Sequence, residues 1–363
     1  MSSGTLFSER RVFRAAGVSA LWRPRAFLTA LGLAIGAFAV FIVSLGIGDY
    51  AISVSGVVSV LFGDGEPLDR TIIWDTRLPR AVGGLVVGAA LGMAGAITQS
   101  IARNALASPD VLGITEGASA MAVTLIVGSA AISGASYGSG VAPVLVGLGI
   151  PLAALVGSLT VTVVIWLLAY RNGVDALRLV LIGIAVSALL QSYIVYLIAA
   201  VDLRDVAKAR TWLSGSLEGA SWEGLMAVAI VLAVALVLCP WMTFRLSVLQ
   251  LGPTTARVLG GRVQSSQIGL LLVSVALAAT CVSAAGPIGF VAFVAPQVAL
   301  RLARTPAPPL IASAAAGAAL VSGADLLART VLSWELPVGI VTSIIGAPFL
   351  IYLVIRANRK ATV

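Results

Sequence analysis

Two arginines in the run Arg77-Leu78-Pro79-Arg80 are the side chains whose type and spacing most clearly offer chemistry. Guanidinium groups pair bidentately with carboxylates, so two of them beside an apolar run could receive acidic side chains from another protein. Pro79 suits the first turn of a helix because it has no N–H to leave unpaired, which puts Arg80 at a helix N-terminus. A cation there opposes the helix dipole by about 0.3–1 kcal/mol, so another interaction has to compensate. Docking of a partner's carboxylates would do so, and so would internal pairing with Asp75 or Glu335; spacing alone weighs the two evenly.

Two other kinds of segment stand out. Between Leu249 and Val263, Gly252-Pro253 opens a short helix and Gly260-Gly261 closes it. That helix is too short to cross a bilayer, and Ala256 and Leu259 give it a small, apolar face. It could be a knob for a soluble partner's groove or an interfacial helix lying on lipid. In Gly286-Pro287-Ile288-Gly289 with Pro296-Gln297, and in Leu336 to Pro348, Gly and Pro interrupt short apolar stretches. Broken helices at membrane depth are tolerated where they are buried in protein or line a cavity, so Gly286, Pro287, Gly289, Pro296 and Gln297 are candidates for a pathway wall. The bland alternative is simple kinking.

Much other chemistry is excluded by residues that are missing. Histidine is absent, Lys occurs only at Lys208 and Lys360, and Cys only at Cys239 and Cys281. No Cys/His zinc site, Ser-His-Asp triad or histidine proton relay can be assembled. A phosphate-binding P-loop needs Lys followed by Ser or Thr, yet both lysines precede Ala. The net charge of +8 comes mostly from arginines dispersed between apolar runs, which fits membrane topology better than nucleic-acid binding.

The elements that must position these residues are membrane helices. Of 363 residues 59% are hydrophobic and 10% charged, against about 45–50% and about 25% in soluble domains. Apolar runs fall at Ala26–Gly48, Ala81–Ala102, Val111–Ile132, Val141–Tyr170, Ala176–Ala200, Gly224–Phe244, Ile268–Ala285, Ile288–Leu302, Leu310–Leu327 and Val338–Ile355, ten in all. The first is too long for a signal peptide's apolar region and is read as retained. The expectation is an all-α polytopic membrane protein of about ten transmembrane helices. With both termini cytoplasmic, 16 of the 23 basic residues but only four of the 15 acidic ones lie inside, a strong positive-inside bias. Gly83, Gly84, Gly88, Gly92 and Gly95 suit close helix packing in the second run.

Several motifs recur in a recognisable order. After Arg77-Leu78-Pro79-Arg80 come Gly88 to Gly95, Gln99, Arg103-Asn104-Ala105-Leu106-Ala107-Ser108-Pro109-Asp110-Val111-Leu112-Gly113, Trp212 to Leu217, the Gly252-Pro253 loop, Gly286 to Phe290, Ala324 to Arg329 and Glu335 to Thr342. The set resembles the FecCD family, permease subunits of ATP-binding-cassette (ABC) importers for iron(III) siderophores, haem and vitamin B12. The resemblance implies the type II ABC importer permease architecture, a single transmembrane domain over residues 1–363 with cytoplasmic segments at 1–25 and 245–263. It also implies a bacterial cytoplasmic membrane location, two ATPase subunits, a second permease that is a like or unlike chain, and an extracytoplasmic substrate-binding protein. No nucleic acid is expected. ATP and Mg would be used by the partner ATPase, with no metal or cofactor and no enzymatic activity on this chain.

By the same resemblance Arg77, Arg80 and Arg329 are expected to dock acidic residues of the binding protein. Leu251, Gly252, Pro253, Ala256, Arg257, Leu259, Gly260 and Gly261 would form the loop that couples to the ATPase. Arg329 also has a local reason for its place, since a cation near a helix C-terminus is favoured by the dipole. Ferric siderophore is the expected substrate, with haem and vitamin B12 as alternatives and a stand-alone secondary transporter as a distant rival. Two positions depart from the family's habit: Gln297 stands where a His is frequent, and Glu116 where a small polar residue is. Glu116 is expected to be a surface acid at a helix start.

Overall fold

The structure, a computed structural model, describes residues 11–15, 18–22, 24–48, 50, 52–64, 66–134, 141–170, 176–331 and 335–361. The expected cytoplasmic segment 1–25 is therefore described only in part, at 11–15, 18–22 and 24–25. The first two of these form an antiparallel hairpin, β1 (Arg11–Ala15) with β2 (Val18–Trp22), in a stretch holding the β-formers Val12, Phe13, Val18 and Trp22. Fifteen α-helices follow. They are α1 (Pro24–Gly46), α2 (Val54–Leu61), α3 (Pro67–Thr71), α4 (Leu78–Ala102), α5 (Ile114–Gly134), α6 (Val141–Ala169), α7 (Ala176–Ala199), α8 (Leu203–Leu213), α9 (Trp222–Val237) and α10 (Cys239–Gln250). The remainder are α11 (Pro253–Val258), α12 (Val263–Ala285), α13 (Val291–Ala303), α14 (Leu310–Thr330) and α15 (Val338–Ala361). A π-helical turn, Ile72–Arg77, leads directly into α4, and a 3₁₀ turn, Pro109–Leu112, precedes α5.

Each of the ten predicted apolar runs becomes a helix or a bent helix pair. Six stretches among the described residues are long and apolar enough to cross a bilayer, in α1, α3–α4, α6, α7, α12 and α14; α9 and α10 add a seventh as a pair bent by 62°. The shorter apolar helices Ile114–Gly128, Val291–Ala303 and Val338–Leu353 account for the other three runs. Two runs expected to be continuous are broken. The sixth bends at Cys239-Pro240, where proline cannot supply the next helical N–H. The fourth contains Gly149 at φ 76°, two residues before Pro151, so its crossing portion begins at Gly149.

Burial separates a central set of helices from a perimeter. The apolar window of α4 is 78% buried, whereas those of α1 and α7 are 6% and 11% buried and present Leu28, Ile35, Leu189 and Val195 outward. In water such faces would be untenable; in hydrocarbon they are the expected surface. α4 packs against α14, α12, α13 and α9. Its glycines set the spacing: a Cβ on Gly88 would collide with the Gly317 carbonyl of α14, one on Gly92 with the Ser313 carbonyl, and one on Gly95 with the Ala292 carbonyl of α13. Small residues let helix backbones approach closely where hydrophobic burial cannot drive association.

Candidate functional site

Three regions hold the residues that sequence reasoning singled out. At the start of α4 the guanidinium of Arg80 bridges two elements. Its Nε donates to Asp325 Oδ1 on α14 at 3.0 Å and its Nη1 to Glu335 Oε2, just ahead of α15, at 2.9 Å. Asp325 Oδ2 lies 3.2 Å from Arg329 Nε one turn along α14. The dipole penalty on Arg80 is thus offset by two carboxylates, and Glu335 is the internal partner that spacing allowed; Asp75 is exposed. Arg77 turns the other way. It donates to the carbonyls of Leu45, at 2.9 Å, and Tyr50, while Arg329 Nη1 reaches the Ile47 carbonyl at 3.4 Å. These cations close the C-terminal end of α1, where helix carbonyls lack intrahelical donors.

Of the two readings that spacing left open, internal pairing is present: Arg80 holds Glu335 together with Asp325. Arg77 and Arg80 are both buried, 7% and 8% exposed, and both hold internal acceptors. Asp325, which draws Arg80 and Arg329 together, was missed by sequence reasoning; an acid one turn before Arg329 was its only local signal.

A cavity of about 1130 Å³ opens between the start of α5, the Gly286–Phe290 loop and α15. Pro287 and Gly289 line it. Gly286 does not. It turns the chain at φ 68°, and a Cβ there would sit 2.6 Å from the Trp212 carbonyl. Pro296 and Gln297 are buried inside α13, and Gln297 Nε2 donates to Gln99 Oε1 at 2.7 Å, joining α13 to α4. Placing Gly286, Pro296 and Gln297 on the pathway wall is therefore corrected, since each faces protein.

Residues that sequence reasoning passed over take their places. Phe290 and Phe293 line the cavity, Phe290 with φ 65° and its side chain against Gly346 of α15. A non-glycine residue held at positive φ persists only where its surroundings over-determine it. Glu116, expected to be a surface acid, lies on the cavity wall and accepts from Gln191 Nε2 of α7 at 3.0 Å. Asp110 joins it on the wall, accepting from Thr115 Oγ1 at 2.5 Å and Ser108 Oγ at 2.8 Å.

The third region is the loop at α11. Gly252, at φ 103°, and Gly260, at φ 78°, frame a six-residue helix, as their sequence positions predict. The Gly261 N–H closes the turn on the Ala256 carbonyl at 2.8 Å. Ala256 is fully buried rather than presented, because it faces the elements flanking the loop. The exposed apolar residues are Leu251, Val258 and Leu259, with Arg257 beside them. Arg103, which ends α4 in a left-handed conformation at φ 49°, donates to the Leu249 carbonyl and ties this loop to the central helix.

Residues 36–356 match the model of the FecCD transport family. The chain belongs to that family. Relatives of this FecCD chain include the ferric enterobactin transport system permease protein FepG of Escherichia coli (strain K12), 36% identical over 315 residues that cover 86% of this chain and 91% of that one. The iron(3+)-hydroxamate import system permease protein FhuG of Bacillus subtilis (strain 168) is 38% identical over 324 residues, covering 88% and 94%. A solved structure described as the inward-facing conformation of a metal-chelate type ABC transporter superposes with a TM-score of 0.75 at 26% identity, over 90% of this chain and 98% of that one. The FecCD chain is an integral membrane protein of the helical permease architecture expected from the sequence.

Proposed function

We propose that this chain is the membrane-spanning permease of a bacterial ABC importer and that it carries ferric siderophores across the cytoplasmic membrane. The observation that carries the reading is its near end-to-end likeness to permeases of iron–chelate systems. A large cavity walled by a broken-helix loop and α15 suits a bulky solute. ATP hydrolysis belongs to two partner ATPase subunits, which receive the exposed Leu251, Val258 and Leu259 of the α11 loop. A second permease completes the pathway. A binding protein delivers solute at the opposite end, where Arg77, Arg80 and Arg329 outnumber Asp325 and Glu335 and leave a net positive field for acidic docking residues. The termini face the cytoplasm.

The test is reconstitution with the ATPase, the partner permease and the binding protein in liposomes, with uptake of ferric siderophore, haem and cobalamin compared. ATP-dependent uptake of the ferric siderophore is expected. Preferential cobalamin or haem uptake would overturn the substrate, and solute accumulation without the ATPase would overturn the mechanism.

A further inference from the structure

Membership of the family leaves open the charge of the chelate that passes. The cavity wall speaks to that question. Among the described residues that line it, Asp110 and Glu116 are the ionisable ones, and no Arg or Lys accompanies them. The rest of the lining is apolar or bears hydroxyls, including Phe290, Phe293, Ser187 and Ser343. Both carboxylates are held by neutral donors: Glu116 by the Gln191 amide, and Asp110 by the hydroxyls of Ser108 and Thr115. Hydrogen bonds of this kind orient a carboxylate without pairing it with an opposite charge. The arginine cluster at the start of α4 contributes no side chain to this wall.

We propose that Glu116, seconded by Asp110, makes this pathway selective for ferric chelates of neutral or positive charge, such as tris-hydroxamates, over strongly anionic ones, such as tris-catecholates. The inference rests on the reading of the chain as a ferric-siderophore permease. The chemistry is elementary. Ferric ion is neutralised by three hydroxamates, and a free ammonium on the ligand makes the complex cationic, whereas three catecholates leave it highly negative. Beside largely apolar walls a fixed carboxylate repels the last class and attracts the cationic one more than it would in bulk water. Glu116 is suited to act on a moving solute because it lies on the wall between α5 and α7 rather than in an ion pair.

The experiment uses the complete transporter, with ATPase, partner permease and cognate binding protein, in proteoliposomes. Uptake is measured for a cationic ferric tris-hydroxamate, a neutral one and an anionic ferric tris-catecholate. Equilibrium binding of the same three to the permease–ATPase complex without binding protein removes that protein's own preference. Wild type should favour the cationic and neutral chelates. Glu116→Gln, which can keep the Gln191 contact, should shift the cationic-to-anionic ratio about tenfold toward the anion in both assays. Glu116→Asp, which keeps the charge, should retain most of the wild-type order. An unchanged ratio in Glu116→Gln, or a wild type that favours the anionic chelate in the binding assay, would overturn the charge selectivity and leave the permease reading standing. Failure of the wild-type transporter to accumulate any of the three chelates would overturn both.

Discussion

Arg80 gives up most of its water to sit at the start of α4, and it holds its place because two carboxylates arrive from distant parts of the chain. Asp325 and Glu335 lie 245 and 255 residues further on. Removing one partner from a buried ion pair costs more than the pair contributes, because the remaining charge stays desolvated. Arg80→Met should therefore lower stability by about 3 kcal/mol, read as a fall in the melting temperature of the detergent-solubilised protein. Asp325→Asn with Arg80→Met should cost less than the sum of the two single losses, since both single variants break the same Arg80–Asp325 pair, while Arg329, which also loses Asp325, keeps the double variant below wild type. Additive losses in the double variant would show that the two side chains do not act as a pair. The sequence announced that Arg80 needed compensation, because proline one residue earlier fixed it in a first helical turn. It could not choose the compensating group: Asp75 and Glu335 were equally open to it, and Asp325 stood out only as an acid one turn before Arg329.

The elements show the same division at larger scale. α4 is the central helix because its glycines let α13 and α14 approach to backbone contact, a role the glycine spacing advertised. The α11 loop was equally legible in its frame, since Gly252 and Gly260 take positive φ where a helix must start and stop. Its presented face was not, because a helix of six residues has too little periodicity to say which side meets protein. Leu259→Asp should lower ATPase association at least about tenfold with little change in melting temperature, measured by co-purification and thermal unfolding, because Leu259 is 66% exposed. Ala256→Asp should instead cost about 3 kcal/mol or more of stability, since it places a charge where no space or partner exists. Equal loss of melting temperature in both variants would remove the distinction between presented and buried faces.

For the whole molecule, the testable consequence is sidedness. Ten crossings, as expected from the apolar runs, would place both ends of the chain on one side, and the positive-inside bias would make that side cytoplasmic. A cysteine introduced at Thr362 should react with a membrane-impermeant maleimide only after the cytoplasmic membrane is opened, while one at Glu66 should react in intact spheroplasts. Native Cys239 and Cys281 are free but buried and should contribute little background. The reverse labelling pattern would invert the orientation and with it the assignment of the α11 loop. The apolar runs, their order and the charge bias were written in the sequence, because a bilayer demands apolar length and penalises charge independently of what the helices pack against. The partners of Arg80, the burial of Ala256 and Gln297, and the arrival of Glu116 on a cavity wall were decided only by tertiary packing. Each depends on which of several amphiphilic surfaces faces which, and that is a property of the assembled helices rather than of any one of them.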